Sequence, residues 1–207
     1  MDSRTQILMI LGAAVVVWSC ALFIMGLQPS ATLLTPFGAT TAVVTLLSLA
    51  FSKWMWRWRL LRGWVVRRPN LAGTWRAELH STYEVDGMRV RKNGFLVVTQ
   101  DLSSLSVRLY TDQAHSYSLA QNVIEQSDGF FEVACVYLNV PNPEARALQN
   151  SEIHHGALLL NHVGHDEDRL EGMYWTDRKT MGDMVLSDRR RKLITSYTAG
   201  LKLYGLT

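Results

Sequence analysis

Two uncharged apolar stretches, Ile7–Leu27 of 21 residues and Leu33–Phe51 of 19, follow one another at the start of the chain. At about 1.5 Å of helical rise per residue, each is long enough for a hydrocarbon layer of roughly 30 Å. Only Gln28–Thr32, with Pro29 as breaker, separates them, so the sequence predicts a hairpin of two membrane spans. No ionisable side chain interrupts either stretch, which argues against a proton relay or ion pathway within the hairpin. A cleaved signal peptide is the alternative for the first stretch, but the run is long and a second span follows directly.

Charge sets the orientation. Arg4 and Asp2 precede the first span, whereas Lys53, Arg57, Arg59, Arg62, Arg67 and Arg68 follow the second with no acid among them. Positive flanks stay cytoplasmic, which places both termini inside and the short loop outside. Residues 1–68 carry seven basic and one acidic side chain, and residues 69–207 carry fourteen and seventeen. The basic excess therefore reports topology and gives no support to a duplex nucleic-acid platform. Cys20 lies within the first span and Cys135 within a strand pattern, so a disulfide between them is implausible and a reducing compartment fits.

In the second span Gly38 and Ala42 form a small-xxx-small spacing. Such a spacing serves close helix packing, either within one hairpin or between copies. Ser52–Arg68 then interleaves Trp54, Trp56, Trp58 and Trp64 with arginines, as suits a headgroup layer. As a helix it would place Trp54, Trp58, Leu61 and Val65 on one face, with Trp56 and Leu60 off it. The expected organisation is a transmembrane hairpin over 1–52, an interfacial linker over 53–68 and a soluble domain over 69–207.

That domain has period-two patterning with close turn signals. Strands are expected near Gly73–Tyr83, Gly94–Gln100, Leu105–Thr111, Tyr117–Val123, Phe130–Leu138, Gly156–His162, Arg169–Thr176 and Gly182–Leu186. Asp86-Gly87, Lys92-Asn93-Gly94, Ser127-Asp128-Gly129 and Gly164–Asp168 read as turns. Eight short strands with scarcely any helical periodicity predict an all-β domain, a small antiparallel eight-stranded β-barrel lipocalin-like in outline. Asn139–His155, with Pro141 and Pro143, reads as a loop or lid, and the tail after Ser187 as holding a short helix.

Alternation assigns faces. Gly73, Trp75, Ala77 and Leu79 share the better interior face of the first strand. Phe131, Val133, Cys135 and Tyr137 share that of the fifth, whose register continues to Asn139. With Glu171 and Asp177 outward, Tyr174, Thr176 and Arg178 point inward. Polar groups inside a small barrel need partners, and a polar ligand can supply them.

Leu71-Ala72-Gly73-Thr74-Trp75, Tyr137-Leu138-Asn139-Val140-Pro141 and Leu170-Glu171-Gly172-Met173-Tyr174-Trp175-Thr176-Asp177-Arg178-Lys179-Thr180-Met181-Gly182, behind two spans, resemble segments of a known family. It is that of the CD-NTase-associated two-transmembrane, β-strand-rich effectors of bacterial CBASS antiphage defence. The resemblance implies an inner-membrane sensor whose barrel binds a cyclic di- or oligonucleotide made by a partner nucleotidyltransferase. It further implies that the protein then assembles as a homo-oligomer and breaches membrane lipid.

A cyclic dinucleotide is a compact dianion with two flat bases. Arg178 would meet phosphate, Thr176 and Thr180 would supply hydroxyls, and Tyr174 and Tyr137 would stack, with Asn139 beside them. An architectural reading of Arg178 stays open, because in lipocalin-like barrels a late arginine covers the Gly-x-Trp tryptophan. Trp75 itself is expected to plug the barrel, and Gly172 and Gly182 to mark bends in a curved sheet.

Two further function classes are open: a carrier for an apolar ligand, and a scaffold whose barrel is filled by its own side chains. His154-His155 and His162-x-x-His165-Asp166 are the only histidine clusters and lack a nearby cysteine, so no metal and no cofactor is expected. No nucleophile elbow, phosphate loop or His-Glu-x-x-His occurs, and the acids are scattered. Nothing points to an enzyme.

Overall fold

A computed structural model of the chain describes residues 3–24, 26, 31–61, 66–85, 87–149, 151–164 and 168–206. They fall into two compact units, Met1–Val66 with Asp101–Ser103, and Arg67–Gln100 with Ser104–Thr207.

The first unit contains helices α1 (Ser3–Ile24) and α2 (Ala31–Lys53), of 22 and 23 residues. Taken over the described residues alone, no helix is long and apolar enough to cross a membrane, so the two spans stand as an inference from sequence. The turn expected at Gln28–Thr32 lies mostly outside the described residues, as does the packing of Gly38. Within α2 the Thr45 hydroxyl donates to the Thr41 carbonyl at 2.8 Å, satisfying a polar group without an outside partner.

The Trp/Arg segment is not a continuous helix. It forms two 3₁₀ turns, Met55–Arg57 and Arg59–Leu61, and residues 62–65, including Trp64 and Val65, lie outside the described set. The single helical face expected from sequence is therefore replaced by short turns. These bury Trp56 beside the Arg57 guanidinium while Trp54, Trp58 and Leu60 are exposed.

The second unit is a closed barrel of eight strands, each antiparallel to its neighbours in chain order. They are β1 (Gly73–Val85), β2 (Met88–Gln100), β3 (Leu105–Thr111), β4 (Ala114–Glu125), β5 (Phe131–Pro141), β6 (His154–Val163), β7 (Leu170–Thr176) and β8 (Met181–Arg190). Pairing of β8 with β1, from Thr74↔Arg190 to Ser81↔Gly182, closes the cylinder and leaves no sheet edge. The core consists of inward residues on alternate positions, among them Trp75, Ala77, Leu96, Val98, Val133, Cys135, Leu158, Leu160, Leu170, Tyr174 and Leu186. The faces expected for β1, β5 and β7 are the faces observed.

Three local expectations are corrected. Lys92-Asn93-Gly94 is strand, not turn: Asn93 pairs with Glu78 and Gly94 with Ala77, and ladder pairing outweighs local turn propensity. Asn139–His155 is shorter as a connection, because β5 runs to Pro141 and a helix α3 (Pro143–Gln149) fills most of the rest. The Asn142 side chain accepts from Ala145 N at 2.7 Å, which caps that helix. The last strand, β8, runs on to Arg190, so the tail begins there and not after Ser187.

The helix expected in the tail is α4 (Tyr197–Tyr204), with Ser196 as N-cap and Gly205 at φ 65° as left-handed terminator. It lies on the outer face of β2. There Phe95 stacks on Tyr204 at 5.2 Å between centroids, and Val97 and Ile194 complete a small outer cluster. This explains why residues 94–98 of β2 are buried without alternation.

Candidate ligand-binding site

One end of the barrel is sealed. Trp75 is fully buried there and its indole N–H donates to Leu71 O at 3.0 Å. The Arg189 guanidinium lies 5.4 Å from the Trp75 ring centroid and donates to Ala72 O at 3.1 Å and Asn70 O at 2.7 Å. Gln100 clamps the incoming chain, accepting from Leu71 N and donating to Pro69 O, both at 2.8 Å. Trp75 is thus the plug, and the arginine covering it is Arg189. The architectural reading of Arg178 is corrected on this point, because Arg178 sits in the β7–β8 turn, at the other end of the barrel from Arg189.

Above the plug is a cavity of about 730 Å³, within the range typical of small-ligand sites. Its deeper wall is apolar, with Leu96, Val107, Leu109, Leu158 and Met184, and its upper wall is polar. All six residues singled out from sequence line it: Tyr137 and Asn139 from β5, Tyr174 and Thr176 from β7, and Arg178 and Thr180 from the β7–β8 turn.

The tyrosines owe their placement to glycines. Tyr137 is paired with Gly156 and Tyr174 with Gly182, and a Cβ at either glycine would run into the tyrosine ring. Each ring therefore leans across a bare backbone along the barrel wall, which keeps the hollow open. Burial raises both phenol pKa values, so both are neutral near pH 7 and present an aromatic face with a hydroxyl.

The β7–β8 turn is pinned on both sides. Thr176 N donates to Thr180 O at 2.9 Å, Lys179 N donates to Thr176 O at 3.1 Å, and the two threonine hydroxyls lie 2.7 Å apart. Lys179 takes φ 61°, the left-handed position that ends a type I turn with a bulge. Asp177 Oδ2 accepts from His155 N at 2.9 Å, and this bond is the first cause of its lowered pKa. The tip that carries Arg178 is thereby tied to the start of β6. On the facing wall Ser116 Oγ donates to Asn139 Oδ1 at 2.8 Å, leaving the amide N–H groups of Asn139 as donors.

Sequence reasoning missed Lys92, Ser81, Ser116 and His154, which also line the cavity. Lys92 could have been found by running the inward parity of Val98 and Leu96 back through Gly94, had that glycine not been read as a turn. Lys92 Nζ donates to Gln113 Oε1 at 2.6 Å. Among the described residues, no Asp or Glu lines the cavity, whereas Lys92, His154 and Arg178 do. The hollow is cationic at its polar end and apolar below, which suits an anion with flat apolar faces.

Among the described residues no three His, Cys, Asp or Glu side chains converge as a metal site; His165 and Asp166 lie outside that set. Both cysteines are free thiols, Cys20 exposed and Cys135 buried.

Residues 66–188 match the family model described as Cap15, cyclic dinucleotide receptor domain. The chain is also 26% identical over 147 residues to CD-NTase-associated protein 15 of Staphylococcus schleiferi, a stretch covering 71% of this chain and 75% of that protein. The cavity-lining residues and Trp75 all fall within the matched span.

Proposed function

Because the chain belongs to the family of the Cap15 cyclic dinucleotide receptor domain, we propose that its barrel binds a cyclic dinucleotide or related cyclic oligonucleotide in this cavity. The observation that carries the reading is the lining: three basic side chains, no acid among the described residues, and the Tyr137 and Tyr174 rings held along the wall. Arg178 and Lys92 meet the phosphates, Thr176 and Thr180 add hydroxyl contacts, Tyr137 and Tyr174 stack on bases, and Asn139 donates to a base edge. The chain acts by binding and carries out no chemical step.

On the same reading α1 and α2 cross a bacterial inner membrane with both termini in the cytoplasm. The support is the two uncharged stretches and the basic cluster that follows them. The Trp/Arg segment then rests in the headgroup layer. Ligand binding drives copies together and the crowded hairpins disrupt the lipid, so that infection is answered by loss of the host membrane. A ligand can shift such an equilibrium only by its difference in affinity for the separate and assembled states.

The test is the melting temperature of the full chain in detergent against a panel of cyclic oligonucleotides, linear dinucleotides and fatty acids. A cyclic ligand present at 100 times its Kd should stabilise the barrel by about 2.7 kcal/mol. Stabilisation by fatty acids alone would instead favour the carrier of an apolar ligand.

A further inference from the structure

The β1–β2 hairpin outgrows the barrel. β8 accompanies β1 only as far as Ser81, paired with Gly182, and β3 accompanies β2 only from Gly94, paired with Thr111. Past those points the two strands pair only with each other among the described residues, ending in Glu84↔Arg89 and Val85↔Met88. At the base of this overhang is a bulge between the pairs His80↔Arg91 and Glu84↔Arg89, where Ser81, Thr82 and Tyr83 stand opposite the single residue Val90.

The overhang has two faces. Tyr83, Val90 and Lys92 continue the inward parity of Leu79 and Leu96 and line the cavity with them. Glu84 and Arg89, 3.9 Å apart, occupy the other face. Tyr83 is nevertheless 56% exposed, so more than half of the residue is uncovered although it borders the hollow. Side chains tether the overhang where it leaves the rim. Thr82 Oγ1 donates to Met181 O at 2.8 Å, next to the turn that carries Arg178 and Thr180, and Lys92 Nζ holds Gln113 Oε1. A two-stranded ribbon without further neighbours is marginally stable in water. These residues therefore form a low-stability element of the barrel, and the bulge gives it a place to bend.

We propose that residues 82–85 and 88–92 are a flap that folds over the bound ligand and lays the Tyr83 ring on one of its bases. The inference rests on the proposed cyclic ligand and adds to it a closing element and a further stacking surface. The geometry suits a compact ligand with two flat bases. In the closed strand order β1 lies four strands from β5 in either direction, so Tyr83 stands on the wall across from Tyr137. A ring-shaped dianion entering between them can offer a flat face to each. Lys92, at the root of the flap, exchanges the neutral Gln113 amide for a phosphate oxygen, which is the stronger, charge-assisted bond. A ligand holds a flap shut only through contacts that the open state lacks. Tyr83 and Lys92 supply them.

The experiment combines hydrogen exchange with ligand titration on the full chain in detergent, using a panel of cyclic dinucleotides and larger cyclic oligonucleotides as probes. In the free chain, peptides covering 82–92 should exchange roughly tenfold or more faster than those covering 74–80. With a saturating probe they should slow by a similar factor. Tyr83→Ala should weaken binding roughly tenfold or more, the loss of one stacked base. It should leave the urea midpoint in place, because the residue is more than half exposed, and Tyr83→Phe should bind within about threefold of the unmodified chain. Three results would overturn the flap while the sensor reading stands: hairpin peptides as protected as the barrel in the free chain, exchange that a bound probe leaves unchanged, or a Tyr83→Ala affinity within about twofold. No binding by the unmodified chain would overturn the sensor reading and the flap together.

Discussion

The Arg189 guanidinium lies 5.4 Å from the centre of the Trp75 ring and is bonded to two backbone carbonyls of the entering segment. This lid on the plug is the architectural task that Arg178 would otherwise have had. Two arginines eleven positions apart on one hairpin therefore have separable effects.

Arg189→Ala should destabilise the barrel by about 2 kcal/mol, through lost charge-assisted hydrogen bonds and lost cover over the indole. Arg178→Ala should leave the urea midpoint unchanged, because the side chain is exposed at a turn. It should weaken ligand binding by about 1.5–3 kcal/mol, the usual worth of a hydrogen bond to a charged group. Paired denaturation and binding curves check both statements. A stability loss in Arg178→Ala with intact binding would return that residue to an architectural role.

Gly156→Ala should act at a distance from the ligand's charge. The added methyl has nowhere to go between the Tyr137 phenol and the Trp175 carbonyl, so the ring must swing into the cavity. Overpacking of this kind costs about 1–3 kcal/mol. The variant should bind ligand at least tenfold more weakly, and Tyr137→Phe on the same background should not restore it.

Tyr137→Ala and Tyr174→Ala should each remove a stacking surface worth about 1–3 kcal/mol per base. The phenylalanine variants should retain most of the affinity. Isothermal titration of the four variants tests this, and equal losses for Phe and Ala would point to the hydroxyls.

Much of this site was legible from alternation alone. Trp75, Ala77 and Leu79 share a face whose parity extends to Ser81, and Tyr174 and Thr176 lead directly to Arg178 at the turn. The illegible parts have local causes. Lys92 was hidden because Asn93-Gly94 carries turn chemistry, which the β1 ladder overrides. In β4 the bulge between Ser118 and Ala120 switches parity, so Ser116 pairs with the inward Asn139 on one side of it while Gln121 and Val123 pair with inward residues of β5 on the other. A one-residue insertion of that kind has no signature in hydropathy. Arg189 could not be matched to Trp75 because the partners are 114 positions apart and only barrel closure brings them together.

Stability should fall as pH rises above the neutral range. Burial pushes the Cys135 thiol up to about 11 and raises Tyr137 and Tyr174, while the Tyr204 phenol rises to about 12. Each group keeps its proton longer folded than unfolded. Its stabilising contribution is thus complete below the unfolded pKa, roughly 8.5 for Cys and 10 for Tyr, and is lost as pH climbs through the folded value. Urea midpoints between pH 7 and 11 should decline, with Cys135→Ala flattening the first part. Asp177 has the opposite sign: its contribution holds above the ordinary carboxylate range and disappears only in stronger acid.

The most direct measurement is a calorimetric titration of the full chain in detergent with a panel of cyclic dinucleotides and larger cyclic oligonucleotides, run beside Arg178→Ala. Saturable binding of one ligand per barrel that weakens at least tenfold in the variant is the expected result. No heat from any cyclic oligonucleotide, or an isotherm that Arg178→Ala leaves unchanged, would contradict a cationic aromatic cavity built to receive one.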